Sequence, residues 1–340
     1  MSLAPTAIPK AFIWRRIHSL MGLWIVLFLI EHLLTNSQAA LWLGSNGKGF
    51  VDMVNAIHNL PYLEVIEVML IGVPILIHAC WGVNYLLTGK FNSYRRDAST
   101  PYLSYGRNRA YTWQRITSWI LLIGVVLHVA KFRFLQYPEK VDVGNEVIYL
   151  ANISMDNGLY TLADRLHVAL FDAQAVVKER AAPDARGNEQ ALLETAKRME
   201  GEKFNLWTGP AAQEYSTQKA FILGSAQNFQ ARAHFVQALE KETLSPGHVI
   251  ACAKEFGTAS LLVVRNTFKN PVYIALYTIF VIAACFHACN GLWTFLITWG
   301  WVLRMAAQRA WVAVCVVFMA VLLFLGLIAV WGTYWMNLRT

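Results

Sequence analysis

Five stretches of this chain are long and apolar enough to cross the roughly 30 Å hydrocarbon core of a bilayer as helices, which leaves little choice of architecture. They lie near Ile17 to Trp42, Leu63 to Leu87, Thr112 to Phe134, Pro271 to Thr298 and Trp311 to Trp335. Hydrophobic residues make up 56% of the 340 and charged residues only 15%, a balance outside soluble globular composition. The expected fold class is an all-α integral membrane protein whose five transmembrane helices form one bundle.

The N-terminus has no short apolar core with a small-residue cleavage site. Lys10, Arg15 and Arg16 lead straight into a full-length span, so the first span is expected to stay as an anchor. Orientation follows from the basic residues. The N-terminal tail, the second connection (Lys90, Arg95, Arg96, Arg107, Arg109) and the fourth (Arg304, Arg309) are basic, whereas the first carries only Lys48. This predicts a multi-pass protein of a bacterial cytoplasmic membrane, with the N-terminus cytoplasmic and the C-terminus, Asn337 to Thr340, outside.

The third connection differs in kind. Residues Leu135 to Leu262 hold 12 Lys+Arg against 16 Asp+Glu, net −4, leaving 17 against 5, or +12, on the rest of the chain. The positive charge thus belongs to the cytoplasmic rim, and no nucleic-acid partner is expected. Apolar residues recur at helical spacing in Leu162 to Val177, Ala191 to Met199 and Phe221 to Leu239, with breaks at Pro183, Gly187, Gly209, Pro210 and Pro246. A mainly helical exterior insertion is expected over 135–262, between bundle segments 1–134 and 263–340. Its His167, His234 and His248 show no ligand-like spacing. Cys80, Cys285, Cys289 and Cys315 fall inside spans and Cys252 in the insertion, so no exposed pair suggests a disulfide and no spacing suggests zinc.

Four of the nine histidines, His32, His78, His128 and His287, sit about fifteen residues into four different spans. An ionisable side chain at that depth is costly and normally faces the bundle interior with a partner. At 1.5 Å per residue each lies roughly 22 Å from its entry face. In alternately directed spans this pairs His32 with His128 near the exterior and His78 with His287 near the cytoplasm. Two bis-imidazole sites arise, with irons on the order of 15 Å apart. Such ligation leaves haem iron no open position, which suits electron transfer. Gly22, Gly72, Gly82, Gly124 and Gly291 are small positions where a macrocycle or a neighbouring helix can approach. Arg15, Arg16, His18, Ser19, Arg115 and Trp293 cluster at the cytoplasmic ends, where haem propionates need donors.

The runs RRIHSLMG (Arg15 to Gly22), IEHLLTN (Ile30 to Asn36), IHNLP (Ile57 to Pro61), IHACWG (Ile77 to Gly82), WQRIT (Trp113 to Thr117), LHV (Leu127 to Val129) and FHACNGLWTFLITWG (Phe286 to Gly300) resemble the five-helix, two-haem cytochrome b subunit of succinate dehydrogenase and quinol:fumarate reductase. The resemblance covers all five spans in order. It implies two haem b groups, the proximal on His78 and His287 and the distal on His32 and His128, with Ser19 near the proximal propionates. It implies an iron-sulfur subunit docked on the cytoplasmic side, a flavoprotein beyond it, and membrane lipid around the bundle. It also implies a quinone site near the distal haem, usually for menaquinone, with His58, Asp52, Glu67 and Glu31 as candidates for handling its protons. Dicarboxylate chemistry belongs to the partners; no flavin fingerprint or nucleophile constellation occurs in the polar parts.

Two departures stand out. The insertion is much longer than the family's connection at that place. Where some fumarate reductases of this type carry a glutamate two residues before the proximal ligand, this chain has Cys285. Other readings are a b-type anchor of a hydrogenase or formate dehydrogenase, or a haem-free transporter or scaffold. The quinol-oxidising b subunit of a respiratory complex stacks two ligands on each of two helices, unlike the single histidine per span here.

Overall fold

The computed structural model describes residues 8–41, 45–89, 93, 103, 105–181, 186–201 and 210–339. Trp42, Lys90, Arg95, Arg96, Pro183 and Gly209 lie outside them. The chain divides into two compact units, Met1–Leu135 with Val264–Arg339, and Gln136–Val263.

The first unit is an all-α membrane bundle. Among the described residues it has five helices long and apolar enough to cross a membrane, Lys10–Ser37, Leu63–Thr88, Gly106–Leu135, Pro271–Thr298 and Met305–Asn337. Large apolar side chains cover their outer faces, with Leu76, Ile123, Leu127 and Val317 each more than half exposed, as a surface in contact with lipid requires. An eleven-residue amphipathic helix, Lys48–His58, follows the first span.

Polar contacts at the helix ends set the direction of each span. Arg16 donates to the carbonyl of Thr298 at 3.3 Å, and Arg115 to those of Leu86 and Gly89 at 2.8 and 2.7 Å. Arg107 donates to Oε1 of Gln308 at the same, near end of the bundle. At the far end Arg133 pairs with Glu67 at 3.0 Å, and Asn337 donates to the carbonyl of Ala39 at 2.7 Å. The guanidinium of Arg265, fully buried, reaches the carbonyl of Leu338 there at 2.6 Å. Starts of the odd-numbered spans therefore meet ends of the even-numbered ones, and successive spans alternate in direction.

Local chemistry fixes individual spans. The fourth begins at Asn270, whose Oδ1 accepts from the Val272 N–H, with Pro271 in the first turn where a missing N–H costs nothing. It ends at Gly300, whose φ of 75° lets Trp301 N–H return to the Leu296 carbonyl at 3.0 Å. In the second span Pro74 supplies no N–H to the Leu70 carbonyl four residues back. The turn at Val68–Gly72 widens to π geometry, and Trp24 of the first span donates its indole N–H to Leu70 O at 2.5 Å. Trp24→Phe is expected to strand that carbonyl in hydrocarbon at a cost of about 1–3 kcal/mol. A melting temperature in detergent equal to that of the unaltered protein would contradict this.

The second unit contains a sheet as well as helices. β1 (Glu139–Val143), β2 (Glu146–Ser154), β3 (Ala169–Phe171) and β4 (His248–Ala253) form an antiparallel sheet in the order β1-β2-β4-β3. Gly144, at φ 63°, opens the two-residue turn between β1 and β2. Val141, Leu150, Ile250 and Leu239 form a buried core, with Phe171, Val176 and Phe235 packed against it. β4 is buried at the successive positions Val249, Ile250 and Ala251, so both its faces are covered.

The helices are Leu159–Arg165, Ala173–Ala181, Arg186–Gly201, Pro210–Lys241 and Phe256–Phe268, the last running into the first unit. The helical run expected over Leu162 to Val177 is split. After His167, at φ 54°, Ala169–Phe171 pairs with β4 instead, because an apolar segment there completes the sheet edge. Gly187 lies in the first turn of its helix and does not break it. Near the start of β1, Lys241 donates to Glu139 at 2.5 Å. Burial, and then the neighbouring Glu139, push the carboxyl of Glu242 above the usual carboxylate range.

Candidate functional site

The bundle interior brings the four span histidines together in two pairs. His78 and His287 have ring centroids 6.2 Å apart with planes at 81°; His32 and His128 stand 5.7 Å apart at 90°. The pairs are at different depths. Gly22 faces His78, Thr117 faces His287, and Tyr277 faces His128. Counting along three spans from one level to the other, Gly22 to His32, Thr117 to His128 and Tyr277 to His287, gives ten, eleven and ten residues. Each count corresponds to about 15 Å of helix rise.

Three of the four rings are held by Nδ1. That of His78 lies 3.0 Å from the His18 carbonyl. That of His287 lies 3.4 and 3.5 Å from the Thr117 and Ser118 hydroxyls. That of His128 lies 3.1 Å from the Tyr277 hydroxyl. An imidazole that donates through Nδ1 presents Nε2 with its lone pair free, the state in which it ligates a metal. For His32, Asn36 donates to its backbone carbonyl at 2.8 Å, and Phe28 packs on its ring at 5.4 Å.

These residues fit a haem at each level. Two imidazole–metal bonds of about 2 Å each, added to the half-widths of two rings, give a centroid spacing of roughly 6 Å. Among the described residues no group of three or more His, Cys, Asp and Glu gathers to hold a bare ion. Paired imidazoles suit a metal whose other donors come from a macrocycle. Glycine permits the approach of helices at both levels. A Cβ at Gly22 would stand 2.9 Å from the His78 ring, and one at Gly124 would stand 2.5 Å from Phe280, which packs on His128. Gly82, Gly291 and Gly72 would meet only ordinary contacts.

The near level also holds buried donors that no described residue satisfies: His18 Nδ1, Trp81 Nε1 and Trp293 Nε1. The His18 ring lies flat on His78, 4.0 Å away at 11°, and Trp81 stacks on Trp14 at 5.4 Å. Donors left so in apolar surroundings suit the carboxylates of a bound cofactor.

The other predicted residues take varied places. Arg115 is buried and its Nη2 secures the end of the second span. Arg16 lies over the Phe12 ring, Arg15 is exposed, and Ser19 is half-buried beside His18. At the far end Glu67 is paired with Arg133, Asp52 with Lys48 at 2.6 Å, and Glu31 accepts from Thr35 at 2.7 Å. His58 closes the amphipathic helix. Glu67, Asp52 and Glu31 thus each engage a different neighbouring side chain.

Sequence reasoning missed Tyr277, Trp81 and the polar row Gln114, Thr117 and Ser118. Gln114 donates to the His287 carbonyl at 3.2 Å and accepts from Asn290 at 2.8 Å. The signal was available as polar residues at i, i+3 and i+4 within an apolar span.

A helical membrane bundle with two levels of opposed imidazoles has the build expected of a membrane-embedded b-type cytochrome. Over 125 residues the chain is 34% identical to the succinate dehydrogenase cytochrome b558 subunit of Bacillus subtilis (strain 168). That match takes in 36% of this chain and spans 56% of the relative's length. No family model and no solved structure matches the chain.

Proposed function

We propose that this chain is the two-haem cytochrome b membrane anchor of a succinate:quinone oxidoreductase, carrying electrons between a cytoplasmic iron-sulfur and flavoprotein pair and membrane quinone, with menaquinone the favoured type. The observation that carries it is the pair of opposed imidazole sites about 15 Å apart along the helices. Similarity to a succinate dehydrogenase cytochrome b subunit supports the particular enzyme.

In this reading His78 and His287 hold the proximal haem and His32 and His128 the distal one. When bound, haem would supply one-electron carriage, with one pair of imidazoles holding it at each level. The His18 carbonyl and the Thr117 and Ser118 hydroxyls fix the proximal rings through Nδ1 and make them more basic ligands. His18, Trp81 and Trp293 offer N–H groups to propionates. The positive rim, Arg15 and Arg16 included, attracts the iron-sulfur partner. Glu67, Glu31, Asp52 and His58, at the far end, are the groups available to hold protons for quinone. The near end is then cytoplasmic, and the second unit lies outside.

The test is purification of the complex from membranes with its spectrum and composition. Two b-type haems per chain, with flavin and iron-sulfur subunits copurifying, are expected. One haem or none would overturn the two-site reading. Two haems with hydrogenase or formate dehydrogenase partners would retain the cytochrome and reject the enzyme.

A further inference from the structure

We infer that Tyr277 is a positioning residue for the distal haem, its phenolic oxygen accepting the Nδ1 proton of His128 and thereby setting that haem's reduction potential. The inference rests on the ligand reading above. If His128 binds iron through Nε2, its remaining ring proton must sit on Nδ1, so in the 3.1 Å contact the histidine donates and the tyrosine accepts.

The surroundings make this oxygen matter. The His128 ring is packed by Phe132 at 5.2 Å and Phe280 at 5.9 Å, neither of which can accept a ring proton in the plane of the imidazole. The ring of Tyr277 is itself held edge-on by Phe132 at 6.2 Å, Phe268 at 5.3 Å and Phe280 at 5.9 Å. A phenylalanine at 277 would fill the same space; the hydroxyl is the difference. The His78 partner is a backbone carbonyl that substitution leaves in place, whereas the His128 partner, like those of His287, is a side chain and can be replaced. Donation to an oxygen raises the basicity of the imidazole and favours ferric iron, lowering the potential.

The experiment is a redox titration of the purified complex, followed in the visible spectrum, for Tyr277→Phe, with His128→Ala identifying which haem is distal. Tyr277→Phe is expected to keep both haems and to shift the reduction equilibrium of the distal one about tenfold towards the ferrous form, about 59 mV for one electron, leaving the other unmoved. Tyr273→Phe, one turn away on the same helix, is expected to change neither. An unmoved distal potential in Tyr277→Phe, or an equal shift in Tyr273→Phe, overturns the inference. Should Tyr277→Phe lose the distal haem, Tyr277→Gln decides: return of the haem with an amide oxygen supports the inference, and continued loss overturns it. Retention of both haems in His128→Ala is a separate result, which removes the ligand reading itself.

Discussion

His287→Ala is expected to lower the haem content of the purified protein from two per chain to one, and His128→Ala to do the same with loss of the other haem. Each substitution deletes one of two opposed imidazoles and leaves its partner, at 6.2 Å or 5.7 Å centroid spacing, facing a void. His32→Ala should reproduce the spectrum of His128→Ala, because the two belong to one level. His78→Ala should match His287→Ala once His18 is also replaced. The His18 ring lies only 4.0 Å from His78 and is the imidazole placed to substitute for it. Difference spectra and haem extraction from the four variants measure this directly. Four variants with four unrelated spectra, or with two haems each, would refute the pairing.

Arg265→Ala is expected to produce the largest loss of stability of any single substitution outside the histidines. This side chain is fully buried, bonds Leu338 O at 2.6 Å and Arg339 O at 3.4 Å, and lies 5.1 Å from the Tyr334 ring. Truncation leaves carbonyls without their donor and a cavity of most of a side chain, a combined cost of roughly 3–5 kcal/mol. Against the 5–15 kcal/mol that typically separates folded from unfolded protein, that is a large share. A drop in melting temperature of about 5 °C or more, with less protein recovered from membranes, is the expected readout. A change below about 1 °C would show that the end of the fifth span is held by other contacts.

The five spans were legible because hydrocarbon thickness imposes a length that apolar runs either reach or do not. The four histidines were legible because an imidazole is out of place at that depth. The sheet was not read, although its hairpin was spelled out: VDV, Gly144-Asn145 and EVIYL form alternating strands about a turn that Gly144 opens at φ 63°. The helical spacing of Leu162 to Val177 favours one helix, and tertiary pairing with β4 overrides it. The partners of the histidine rings could not be read from spacing. Tyr277 and His128 are 149 residues apart, and Thr117 and His287 170, so only the folded bundle brings them together. The π turn at Val68–Gly72 likewise depends on a donor from another span, Trp24.

The fourth span carries Tyr277, which fixes a ring at one depth, and His287, which belongs to the other. A rigid rod held at two bearings cannot shift at one alone. Sliding this helix by a single residue, about 1.5 Å, would displace both settings in the same stroke.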